Sequence, residues 1–334
     1  HGYAPEIYEA SDSVGGRIKT DLVEGYQLDR GFQVLLSAYP KALEYLDYES
    51  LELQELLPGA VIYENAKPKT IGDPLRASSL ILPTIFSGIG SFSDKLKILS
   101  LYADLKKLSV TDIFERKETT TLAYLQDKGF SGEIIEKFFK PFFSGIFLEP
   151  DVETSSRMFE FVFKMFGEGL AVIPKKGMGE ISKHLARKLK NTKIHFNTPV
   201  KQVKEGEIIL ESQEVITTNA SIIATEASSL VSNLKNQETQ WKSCHNFYFE
   251  TEKRTIEKPI IGLITDKDTI INNIFYHTSV ATESNGGKEL LSVTVVKQTD
   301  LSEAELLKKV EQDLKNYCGV GDARFLKHYF IKKA

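Results

Sequence analysis

The chain has 334 residues, enough for two domains at about 100–200 residues each, and its 42 basic and 46 acidic residues leave a formal charge of −4. There is no basic stripe interleaved with aromatics, which argues against a nucleic-acid partner, and no apolar run approaches the roughly 18 residues that cross a bilayer. The two cysteines, Cys244 and Cys318, fit no CxxC spacing and read as free, small apolar residues in a reducing compartment.

A β-type run at Glu6–Glu9 opens the chain, with neither an initiator methionine nor a signal-peptide pattern before it. It leads into Glu9-Ala10-Ser11-Asp12-Ser13-Val14-Gly15-Gly16-Arg17. A carboxylate at the carboxyl end of a strand can accept both hydroxyls of a ribose. Glycines without Cβ let backbone N–H groups approach a pyrophosphate, and Arg17 adds a fixed positive charge. Next comes the turn-rich segment Tyr26-Gln27-Leu28-Asp29-Arg30-Gly31-Phe32-Gln33, followed by a helix from Tyr39 onward. The most apolar short stretch, Leu80–Phe86, is broken by Pro83 and reads as core or loop.

Between Ser93 and Lys107, apolar residues at Leu96, Leu99, Tyr102 and Leu105 predict an amphipathic helix with Asp104, Lys106 and Lys107 outward. A further helix through Leu122 and Leu125, capped by Thr121 or a neighbour, is expected to stop at Gly129. Two phenylalanine-rich pieces, Phe138–Phe143 and Met158–Phe166, are too aromatic for a solvated face. They read either as the core of a helical unit or as the wall of an apolar pocket.

After Pro174-Lys175-Lys176-Gly177-Met178 a helix is predicted over Ile181–Lys190. Short strands are predicted at Lys193–Phe196, Val200–Lys204, Glu207–Leu210 and Glu214–Thr217, and a buried strand at Ser221–Thr225. The β-rich part that follows places strands at Asn246–Glu250, Ile260–Thr265, Asn273–His277 and Leu290–Val296. A polar helix at Ser302–Tyr317 and a strand at Phe325–Ile331 close the chain. His184, His195, His245, His277 and His328 are scattered and read as structural or surface residues. Lys297 reads as a solvated strand end or as a group reaching a cofactor through water.

In order and spacing, Glu9 with Val14-Gly15-Gly16-Arg17, Asp29-Arg30-Gly31-Phe32, Pro174 with Gly177-Met178, Thr198-Pro199-Val200 and Ile223-Ala224-Thr225 resemble the flavin-containing amine oxidase superfamily, including its phytoene-desaturase-like and protoporphyrinogen-oxidase-like branches. The resemblance covers nearly the whole chain. It implies an α/β fold: an FAD/NAD(P)-binding Rossmann-like domain (1–57 and 174–235) interleaved with an α+β substrate domain of helical insert plus mixed sheet (58–173 and 236–330).

It also implies FAD as cofactor. Glu9 would take the ribose, Gly15, Gly16 and Arg17 the pyrophosphate, and Val200 the adenine. Gly31, Phe32, Gln33, Gly177 and Met178 would lie near the flavin ring, with Ala224 and Thr225 along the cofactor. Two departures stand out. The GxGxxG turn is missing, since Gly88 and Gly90 have no third partner, and so is the family's closing Gly-Asp step with its helix, since Gly321-Asp322 precedes the final strand. The chain is therefore expected to be an internal piece of a longer protein.

The function expected is an FAD-dependent oxidoreductase that takes a hydride from an apolar small molecule by desaturation, dehydrogenation or amine oxidation. Its location is expected to be cytoplasmic, with peripheral association at a membrane kept open. The alternative is a non-enzymatic binding module like the GDP-dissociation inhibitors, which share this architecture. An NAD-linked dehydrogenase is disfavoured by the short spacing from Glu9 to Gly-Gly-Arg.

Overall fold

The computed structural model describes residues 3–72, 88–234 and 240–334; the Leu80–Phe86 stretch lies outside them. The opening strand, Glu6–Tyr8, pairs in parallel with Lys193–His195 in the register Ile7↔Ile194. The ladder runs on past both strands. Glu9 N–H donates to His195 O at 2.9 Å, and Thr198 N–H donates back to Glu9 O at 2.9 Å. This bond leads into an antiparallel meander of Val200–Lys204, Glu207–Leu210 and Val215–Thr217.

A hairpin of Thr20–Val23 and Tyr26–Asp29 turns at Glu24 and Gly25, both at positive φ, the two-residue geometry that matches strand twist. Beyond it, Ala171–Pro174 is flanked antiparallel by Leu35–Leu36 and Leu53–Glu55. The main sheet has seven strands in the order Ala323–Ile331, Cys244–Thr251, Glu289–Val295, Asn273–Tyr276, Ile261–Ile264, Gly59–Glu64 and Lys67–Gly72. Its neighbours are antiparallel except for the parallel pair Ile261–Ile264 and Gly59–Glu64.

Side chains alternate between the two faces of this sheet. Phe247, Phe249, Val293 and Val295 form one core with Leu306, Val310 and Leu314 of the helix Glu303–Cys318. On the other face, Tyr248, Ser292 and Phe275 stand in register with one another and meet the hairpin described above.

The helices between the two halves of the chain pack around phenylalanines. Phe143 and Phe159, from the helices Lys140–Phe147 and Ser156–Glu168, lie with ring centroids 4.6 Å apart. Phe138, Phe142, Phe147, Phe161, Phe163 and Phe166 are only partly buried against the same core. The helix Phe92–Lys106 forms where expected, stopped at its start by a capping box between Ser91 and Asp94, but it is turned differently from the sequence expectation. Leu101 and Leu105 are buried, whereas Leu96 and Leu99 are exposed. The turn follows from Asp94, whose carboxylate is buried by bonds from Ser91 and Ser131, and from Lys164, whose ammonium bonds the carbonyls of Leu105 and Lys106.

One other expectation is corrected. Ser221–Thr225 forms no strand, and Ile222 stands 95% exposed, because no described strand offers these residues a ladder to join. His245 and His328, far apart in sequence, face each other across antiparallel strands with ring nitrogens 2.9 Å apart. Cys244 and Cys318 are buried and unpaired. Among the described residues, no helix is long and apolar enough to cross a membrane, and no group of three or more His, Cys, Asp or Glu could hold a metal ion.

Candidate dinucleotide site

The turn after the first strand is shaped by Glu9 and two glycines. Glu9 Oε1 accepts the Ser11 N–H at 2.8 Å, which fixes the carboxylate at the strand end. Gly15 has φ +123°, and a Cβ there would lie 2.4 Å from Ile18 O, the carbonyl of the residue whose N–H bonds Gly15 O at 2.8 Å. Gly16 has φ +54°, and no atom lies within 4 Å of where its Cβ would be. It borders a cleft of about 280 Å³ together with Arg17, Arg30, Tyr329, Phe330 and Ile331.

Two guanidinium groups thus edge one cleft beside an open glycine. Arg30 is held by Asp21, with both N–H···O distances 2.9 Å, and Tyr329 donates to the same carboxylate at 2.8 Å. Arg17 lies over the Trp241 ring at 5.3 Å, and Lys333, paired with Glu226, lies over that ring at 5.7 Å. Ala224 and Thr225 are exposed and precede Glu226, the partner of Lys333. Val200 begins its strand half-buried, two residues past the Thr198 to Glu9 bond.

A second group gathers beside the cleft, at the open end of the hairpin. Asp29 Oδ1 accepts from Thr20 Oγ1 and, at 2.9 Å, from Met178 N–H, and Gly179 N–H donates to Thr20 Oγ1 at 2.9 Å. The hairpin therefore supplies acceptors to the start of the helix Gly179–Arg187, where backbone N–H groups lack partners within the helix. Gly177 makes this approach feasible, since its φ is +81° and a Cβ would meet Thr20 Oγ1 at 2.5 Å and Asp29 Oδ1 at 2.9 Å.

Burial pushes the Asp29 carboxyl up to about 6, against the opposing pull of Thr20 and Met178. The Met178 side chain is buried with Leu35, Ile181 and Phe275. Gly31 turns its open side to Ile331, Phe32 packs on Phe275 at 5.0 Å and His277 at 6.0 Å, and Gln33 is half-buried. Tyr248 donates to Asp29 O at 2.8 Å, and His277 lies within 3.1 Å of Ser292 Oγ, its basicity lowered to about 4 by burial.

The structure thus joins Glu9, Gly15, Gly16, Arg17 and the start of the Val200 strand in one region, and Gly31, Phe32, Gly177 and Met178 in another. The two adjoin at the open end of the hairpin, where Arg30 of the cleft follows Asp29 and Gly31 faces Ile331. Thr20, Tyr248 and His277 carry no motif, so sequence reasoning misses them; their places are set by long-range strand pairing. Lys297 is not directed at either region. Its ammonium bonds the carbonyls of Lys267 and Thr269.

A glycine with open space on its outer side and two guanidinium groups at one cleft, near a carboxylate fixed at a strand end, are chemistry that suits a phosphate-bearing dinucleotide. With the parallel pair Glu6–Tyr8 and Lys193–His195 beside the large mixed sheet, the fold is of Rossmann-like α/β type. Among solved structures, an oxidoreductase from Methanosarcina mazei is similar at 17% identity and TM-score 0.69, over 98% of this chain and 82% of that one. A putative protoporphyrinogen oxidase from Exiguobacterium sp. 255-15 is similar at 14% and 0.64, over 97% and 80%. Wild-type putrescine oxidase bound to putrescine is similar at 15% and 0.65, over 95% and 78%.

No curated protein matches in sequence. The model of the flavin containing amine oxidoreductase family matches residues 1–332, and the chain belongs to that family. It is an FAD-dependent oxidoreductase.

Proposed function

We propose that the chain oxidises an apolar small molecule, by dehydrogenation or desaturation or by oxidation of an apolar amine. The bound flavin supplies the acceptor for a hydride equivalent; the protein supplies placement and a dry surface.

In this reading Glu9 holds the ribose, the turn at Gly15, Gly16 and Arg17 holds the pyrophosphate, and Val200 presents backbone groups to adenine. Ala224 and Thr225 run along the cofactor. Gly31, Phe32, Gln33, Gly177 and Met178 border the ring, with Asp29 and Thr20 fixing the backbone of the last two. Residues 1–57 and 174–235 would form the cofactor domain, and 58–173 and 236–330 the substrate domain.

The observation that carries the apolar substrate is the set of half-buried phenylalanines on the helical layer. Phe161 stacks on Tyr39 at 5.7 Å, and Tyr39 and Val34 belong both to that layer and to the cluster that contains Phe32. Two buried carboxylates on the same layer are already paired: Glu160 with Arg116 at 3.3 Å and Glu149 with Lys242 at 3.4 Å. A cationic substrate would need unpaired ones. A cytoplasmic location with contact at a membrane surface suits such a substrate. Neither the family match nor the solved structures cited support the GDP-dissociation-inhibitor-like alternative.

The test is anaerobic bleaching of the flavin absorbance in the full-length protein. Fractions of an apolar lipid extract should reduce it, and polyamines should not. Reduction by polyamines alone would reverse the substrate assignment.

A further inference from the structure

We propose that Trp241 is a positioning residue of the dinucleotide site: its indole holds the Arg17 guanidinium at the edge of the cleft, ready for the phosphates of the cofactor. The inference rests on the FAD reading of that cleft and adds to it a residue that carries no motif. Of the two guanidinium groups at the cleft, only one has charge to spare. Arg30 is gripped in a fork by Asp21, with both distances 2.9 Å, so its charge is largely answered within the protein. Arg17 is exposed. Its contacts are the Lys333 carbonyl at 3.5 Å and the Trp241 ring at 5.3 Å, with no carboxylate partner among the described residues.

An aromatic partner suits this task where a carboxylate would not. A ring attracts the cation through its quadrupole and leaves the positive charge and N–H donors for a phosphate; a carboxylate would take both. The ring also acts before the ligand arrives. An arginine side chain loses rotamer freedom when it closes on a phosphate, and one already held in place has met part of that loss. Trp241 is itself anchored. It is half-buried and stands three residues before Cys244, where the pairing of Cys244–Thr251 with Ala323–Ile331 ends at Cys244↔Ile331. Ala334 N–H donates to Lys242 O at 3.0 Å and carries that contact on towards the ring. Lys333 lies over the same ring at 5.7 Å, but its ammonium is paired with Glu226 at 2.5 Å, so it competes little with Arg17. The cleft is lined by Arg17, Tyr329, Phe330 and Ile331 and not by the indole. Trp241 therefore acts on the ligand through Arg17.

The test is a double-mutant cycle, read by titrating FAD into the full-length protein freed of flavin. Trp241→Leu should weaken FAD binding about threefold to tenfold, and Trp241→Phe, which keeps a ring face, should lose less. In an Arg17→Ala background, Trp241→Leu should change the affinity by less than about twofold, because the group it positions is gone. If Trp241→Leu does not fold, Trp241→Gln, which suits a half-exposed place, takes its part in both backgrounds. A Trp241→Leu protein that binds FAD as tightly as wild type overturns the proposal. So does a loss of the same size with and without Arg17, because Trp241 would then serve packing alone. Failure of the cofactor reading shows separately, as a wild-type protein that takes up no FAD.

Discussion

Asp29 and His277 sit on either side of Tyr248 and respond to pH in opposite senses. Asp29 is pushed up from 3.8 to about 6 by burial, so between those values the folded chain holds a proton that the unfolded chain has released. Its contribution to stability therefore falls as pH rises from about 4 to about 6. His277 is lowered from 6.5 to about 4 by burial. The unfolded chain takes the proton first, and stability falls as pH drops through that window. Each pKa unit corresponds to about 1.4 kcal/mol. Urea unfolding measured from pH 4 to pH 7 should show Asp29→Asn losing stability more steeply on acidification than the parent, and His277→Gln losing less; parallel curves would contradict both assignments. Gly177→Ala combines a left-handed backbone with a Cβ placed against Thr20 and Asp29. It should lower stability by about 1–3 kcal/mol, read as a lower urea midpoint.

At the scale of elements, the phenylalanine helices pack around Phe159. Phe159 is fully buried and touches Phe139, Phe143, Phe163 and Tyr124, so Phe159→Ala should cost about 3–5 kcal/mol in thermal unfolding. A cost under 1 kcal/mol, about the level of a surface change, would mean that this layer is loosely packed. Elements with strong local signals were legible in the sequence. The helix Glu303–Cys318 and the strands Cys244–Thr251 and Glu289–Val295 form close to the positions that periodicity and turn residues indicate. The facing of Phe92–Lys106 was not legible, because two apolar stripes compete on that helix and the choice rests on Asp94 and Lys164, which are partners in space and not in spacing. Ser221–Thr225 has the composition of a buried strand, but composition does not supply a neighbouring ladder.

At the scale of the molecule, the glycine turn at Gly15-Gly16 was legible because left-handed backbone and close approach demand glycine. The acceptors Thr20 and Asp29, which bond the backbone N–H groups of Gly179 and Met178, come from a hairpin about 150 residues upstream in the same chain, and only the fold brings them together. In the proposed site, one chain gathers Glu9, Gly15, Gly16 and Arg17 into the phosphate and ribose end that holds FAD. The most direct measurement is flavin titration of the full-length protein, followed by absorbance and by identification of the released cofactor. One FAD per chain is expected, with Arg17→Ala and Glu9→Ala each weakening retention by about tenfold or more. A colourless protein that takes up no FAD, or undiminished retention in both variants, would contradict it.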